Sequence, residues 1–100
     1  MGELPITQRG YQQSILITEL IGAVKRAQES GYISDAHFSP VTDGYDISFK
    51  IASSEIKLYA RCRRFCNGCV VKMFTDGRKA GKFVLKTKSD IDYCINKIKK

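Results

Sequence analysis

Leu58 to Phe74 reads LYARCRRFCNGCVVKMF, and this run restricts the possible folds more than any other. Side chains alternate in character on either side of Asn67-Gly68, which is a strand's period of two. Asn-Gly is the strongest short hairpin signal, because both residues tolerate the positive φ of a type I′ turn. Folding about that turn sorts the side chains into two unlike faces. Leu58, Ala60, Cys62, Cys66, Cys69, Val71 and Met73 share one, which has the makings of a core. Tyr59, Arg61, Arg63, Phe65, Val70, Lys72 and Phe74 share the other, where aromatic rings are set among cations.

The flanking segments extend this pattern. Asp43-Gly44 is a second turn signal, and Tyr45 to Ile51 then alternates, with Tyr45, Ile47, Phe49 and Ile51 on one side. Pro40 confines any strand within residues 32–44 to a sheet edge. Ser53-Ser54 turns the chain into a strand expected from Glu55 to Phe65. Val70 to Thr75 returns, Asp76 to Gly81 reads as a basic flexible connection, and Lys82 to Lys86 forms the last strand with Phe83 and Leu85 inward.

A helix is expected at each end. Ile17, Leu20, Ile21, Val24 and Ala27 recur at helical spacing between about Gln12 and Ser30, with Leu16 and Ala23 widening the stripe. Gly31 is suited to end that helix. Ser89 is the expected cap of the second helix, with Asp90 and Asp92 favourable in its first turn. Ile91, Cys94, Ile95 and Ile98 then fall at i, i+3, i+4 and i+7.

The fold class expected is α+β: an antiparallel meander of four or five strands with the N-terminal and C-terminal helices packed on one face. Residues 1–10 read as a flexible lead, and 11–100 as a single domain. One hundred residues with 43% apolar content support one core. No run approaches the roughly 20 apolar residues of a membrane span, so no membrane partner is expected. The N-terminus lacks a basic n-region followed by an apolar stretch, and a reducing, cytoplasmic setting is the expectation.

Lysine and arginine total 17 against 10 acidic residues, a net charge of +7 and a pI of about 9.4. That is the electrostatic footprint of nucleic-acid binders. The outward strand positions supply the candidate contacts. Lys50, Lys57, Arg61, Arg63, Lys72, Lys82 and Lys86 would meet phosphates, with Arg78 and Lys79 extending the track. Tyr59, Phe65 and Phe74 would stack bases, the recurring single-strand mode of sheet platforms. The RNP signature, C₂H₂ fingers, basic zippers and P-loops are absent. The order of elements loosely resembles that of double-stranded-RNA-binding domains, but Lys86 to Tyr93 does not reproduce the basic cluster of their second helix.

Exposed Tyr, Phe and Arg also suit a protein interface. The alternative partner is therefore an acidic protein surface, in the manner of a small phage-type modulator that blocks a host nucleoprotein machine. An open edge strand could also pair two copies into a homodimer.

Cys62, Cys66 and Cys69 are spaced C-x₃-C-x₂-C, with Cys94 distant. Radical SAM enzymes share that spacing but need a barrel far larger than this chain. Cys66 to Cys69 resembles one zinc knuckle, which Cys62 or Cys94 could complete, giving a small zinc module as a second alternative. No second C-x₂-C pair is present. Projection to the core face favours packing as small hydrophobes instead, with no cofactor. A Cys66–Cys69 disulfide would join a hydrogen-bonded pair with poorly directed side chains. His37 is the single histidine. It could act as a base with Asp35 or Asp43, but no catalytic constellation stands out, and a non-enzymatic protein is expected.

Overall fold

The computed structural model describes residues 5–62 and 68–99. Helix α1 (Pro5–Glu29) leads into strands β1 (Ser34–Val41), β2 (Gly44–Ile51), β3 (Ser54–Cys62), β4 (Cys69–Thr75) and β5 (Arg78–Leu85), and helix α2 (Lys88–Lys99) closes the chain. The strands form one antiparallel sheet in the order β1-β2-β3-β4-β5, so the meander has five strands. Helix α1 begins at Pro5, ahead of the start expected near Gln12, and residues 5–10 of the expected lead are helical. Proline suits a first helical position because its φ is already helical and its missing N–H would have no partner there.

Gly31 ends α1 as expected. It adopts φ 85°, and Tyr32 N donates to the Ala27 carbonyl at 3.0 Å, closing the helix with a left-handed turn. At the other end of the chain the cap is Thr87, not Ser89. Thr87 Oγ1 accepts from Asp90 N, while Asp90 Oδ2 accepts from Thr87 N at 3.0 Å and from Lys86 N at 2.7 Å. This reciprocal box satisfies amides that the first turn leaves over.

Leu16, Ile17, Leu20, Ala23, Val24 and Ala27 of α1 are buried with Ile91, Cys94 and Ile98 of α2 against Ile47, Phe49, Ile56, Leu58, Ala60, Cys69, Val71 and Leu85 of the sheet. Both helices therefore lie on one face. Each large apolar side chain enclosed there contributes about 1.5–3 kcal/mol. The opposite face carries no helix among the described residues.

Two hairpins differ from expectation. Asp76 and Gly77 adopt φ 51° and 84°, the two positive values of a type I′ turn, and Thr75 pairs with Arg78. The expected flexible connection over 76–81 is thus a tight turn and the first half of β5. Asp76 is also stitched to β3: its Oδ1 accepts from Glu55 N at 2.9 Å and its own N donates to Glu55 O at 2.8 Å.

The second difference is the β3–β4 register. A turn at Asn67-Gly68 would set Cys66 opposite Cys69, whereas Cys62 holds that place and β3 ends there. Gly68 serves another purpose. A Cβ on it would collide with the Leu85 carbonyl oxygen, so glycine permits close approach to the end of β5. The partner of Cys69 on β3 is displaced by four residues, an even number, so every side chain keeps its expected face. Arg63, Phe65, Cys66 and Asn67 lie outside the described residues.

Candidate functional site

The register sets the helix-free face in rows. One row crosses the sheet as Ser39, Asp46, Tyr59, Lys72 and Lys82; the next as His37, Ser48, Lys57, Phe74 and Lys79. A third holds Gly44, Arg61, Val70 and Val84. Alternation puts these residues outward because their chain neighbours Ile47, Leu58, Ala60 and Val71 are drawn into the core.

Lys79 and Lys82 are three apart in sequence and would face opposite ways in a regular strand. A bulge brings them to one face. Met73 pairs with Gly81 and Phe74 with Lys79, so Ala80 is the extra residue. Lys82 sits directly opposite Lys72, a like-charge rung that folding alone disfavours. Lys57, Lys72, Lys79 and Lys82 make no ion pair among the described residues.

Tyr59, Arg61, Val70, Lys72 and Phe74 line an open basin of about 420 Å³. The Tyr59 and Phe74 rings meet edge to face, with centroids 5.4 Å apart and planes at 74°. This arrangement fixes both half-buried rings. Their remaining surface opens into the basin beside Arg61 and Lys72.

Arg61 is held on every side. Its Nη1 donates to the Tyr45 carbonyl at 3.2 Å and the Ala60 carbonyl at 3.1 Å, and its Nη2 lies 2.8 Å from Asp46 Oδ1. The guanidinium carbon stands 5.9 Å from the Tyr59 ring centroid. Asp46 Oδ1 is shielded from solvent and has no aligned hydrogen bond, so its contact with Arg61 is one of charge rather than of directed bonding. Arg61 acts as a strut along the basin wall, with its charge offset by Asp46.

The remaining candidates divide. Lys50 turns toward acids: its Nζ lies 3.8 Å from Asp35, and Glu55 is its cross-strand neighbour. Arg78 pairs with Thr75, which in turn pairs with the buried Ile56, so Arg78 belongs to the helix-bearing face and does not extend the track. Lys86 follows β5 and is exposed. Two outward residues were not anticipated. His37 and Ser39 lie on β1 beside Asp46, Ser48, Lys57 and Tyr59, where they line a smaller hollow of about 180 Å³. The alternation of His37 and Ser39 with the inward Ala36 and Phe38 carried that information.

Cys62 and Cys69 face one another, with Sγ atoms 3.3 Å apart. Cys94 is enclosed by the core, and burial pushes its thiol up to about 12. Among the described residues no three His, Cys, Asp or Glu side chains are grouped to hold a metal ion. Cys66, on which the knuckle depends, lies outside them. No described helix is long and apolar enough to cross a membrane.

Compared with known proteins, the chain matches no family, and no curated protein or solved structure is significantly similar to it.

Proposed function

We propose that this protein binds single-stranded nucleic acid, without catalysis, on the helix-free face of its sheet. The observation that carries the reading is the Tyr59–Phe74 ring pair in a basin that Lys72 lines, on a face where Lys57, Lys72, Lys79 and Lys82 have no ion-pair partner among the described residues. Lys57, Lys72, Lys79 and Lys82 neutralise phosphates, and the two rings offer flat apolar surface to unstacked bases. Bases inside a duplex are already stacked and cannot use the rings, so single strands are favoured.

Gel-shift titration with single- and double-stranded DNA and RNA at several salt concentrations tests this. With four lysines engaged, the log-log salt slope for a single strand is expected near about −2.8. Preference for duplex, or binding insensitive to salt, overturns the reading.

A second reading uses the same face for an acidic protein partner. Val84, 45% exposed beside Val70 and the basin, favours it, since apolar surface contributes little to phosphate contact. Stoichiometric recovery of one protein from nuclease-treated lysate supports this second reading. Loss of that protein on nuclease treatment returns the first.

A further inference from the structure

The Cys62–Cys69 rung has a geometry that the sequence alone placed elsewhere. Cys62 N donates to the Asp43 carbonyl at 2.7 Å, toward the β2 side. In a strand, the N–H and C=O of one residue point the same way, so Cys62 directs neither group toward β4. Cys62 and Cys69 therefore form a non-hydrogen-bonded cross-strand pair, in which Cα atoms lie about 4.5 Å apart and side chains converge. Disulfides accept Cα separations of about 4.4–6.8 Å, so the rung sits at the short end of that range. The Sγ atoms are already 3.3 Å apart, and neither sulfur is held in a disulfide.

We propose that Cys62 and Cys69 are a reversible dithiol–disulfide pair, oxidised by a small-molecule disulfide of the glutathione type. Cys62 is partly exposed, whereas Cys69 is fully enclosed, which fixes the order of events. The Cys62 thiolate attacks one sulfur of the small disulfide, and the first small thiolate leaves and takes a proton from water. The Cys69 sulfur loses its proton to water and attacks Cys62 Sγ, expelling the second small thiolate, which is protonated in turn. Two protein thiols and one small disulfide become one protein disulfide and two small thiols. Thiol–disulfide exchange is an equilibrium, so excess small thiol attacks the new bond and returns both cysteines to thiols. It closes a ring over residues 63–68 and locks the end of the β3–β4 ladder next to the Arg61–Val70 rung. Cys94, held in the core, takes no part.

The test equilibrates the full chain with reduced and oxidised glutathione at stepped ratios. Acid quenching, alkylation and peptide mapping by mass spectrometry then locate each thiol. The expected result is loss of two of the four alkylatable thiols, a Cys62–Cys69 linked peptide, and full recovery with dithiothreitol. In Cys69→Ser the reaction stalls as one glutathione adduct on Cys62. Four alkylated thiols at every ratio overturn the proposal, as does a linked peptide joining Cys66 to either partner. The mapping uses the natural chain, so poor folding of a variant does not affect its outcome.

Discussion

Arg61 Nη2 rests 2.8 Å from Asp46 Oδ1, so the arginine most central to the basin carries little free charge. Lys57, Lys72, Lys79 and Lys82 have no such partner among the described residues, and the cationic character of the face rests on them. Asp46→Asn releases the guanidinium charge. The expected outcome is tighter binding to a single-stranded oligonucleotide and a salt slope steeper by about 0.7, read by gel shift. Both side chains are partly exposed, so the stability change should stay below about 1 kcal/mol in thermal melts. Unchanged or weaker binding would show that Arg61 is not restrained by Asp46.

Tyr59→Ala and Phe74→Ala should each weaken single-strand binding by about 1–3 kcal/mol. The rings touch, so removing one loosens the other, and the double variant should cost less than the sum. Fluorescence anisotropy with a labelled oligonucleotide measures all three. Additive losses would mean that the rings act at separate subsites.

The Lys72–Lys82 rung predicts opposite signs for binding and stability. Replacing both with alanine removes a like-charge pair, so the melting temperature should hold or rise slightly. Binding should weaken, with the salt slope falling in magnitude by about 1.4. A lower melting temperature together with unaltered binding would contradict both roles.

The Thr87–Asp90 box predicts a pH dependence. Backbone amides of Lys86 first, then Thr87, hold the Asp90 carboxyl below its usual value of 3.8. A depressed carboxylate stabilises the fold fully above its unfolded pKa, and that contribution disappears as pH falls through the lower folded value. The melting-temperature gap between the natural chain and Asp90→Ala should therefore stay constant from neutral pH down to about 5, and close only in stronger acid. Thr87→Ala should cost about 1 kcal/mol by denaturant unfolding. A gap that closes near neutrality would rule out this origin.

Cys94 is enclosed, and its thiol is pushed up to about 12, so it is protonated and shielded at neutral pH. Iodoacetamide should label it only as fast as the fold opens, while denatured chain labels at once. Rapid labelling of folded protein would place Cys94 at the surface instead.

The meander and both helices were legible because each element has one apolar face, and alternation or helical spacing reveals it directly. Tyr45 to Ile51 and Ile91 to Ile98 are clear instances. The outward face was legible for a subtler reason. Displacing the β3–β4 register by an even number of residues leaves Tyr59, Arg61, Lys72 and Phe74 on their expected side. What pairs with what was not legible. The Arg61–Asp46 contact is diagonal across β3 and β2, and only the true register reveals it. The β4–β5 turn at Asp76-Gly77 carried a signal as strong as Asn67-Gly68, but the basic run after it read as a connection. Pro40 similarly obscured β1, and with it His37 and Ser39. Thr87 precedes Ser89 as a possible cap, and only Asp90, folding back on Thr87, decides between them.

The two outer strands of the sheet have a shared imperfection. β1 carries Pro40 and a break in register between Ser34 and His37, and β5 carries the extra residue Ala80. Each interrupts the row of amides and carbonyls that a stray strand would need in order to dock lengthwise. Deleting Ala80 would mend one margin and should let two copies pair along β5, read as concentration-dependent dimerisation by sedimentation. On the proposed function, copies bound side by side along one strand would be kept from fusing edge to edge by the same two spoiled margins.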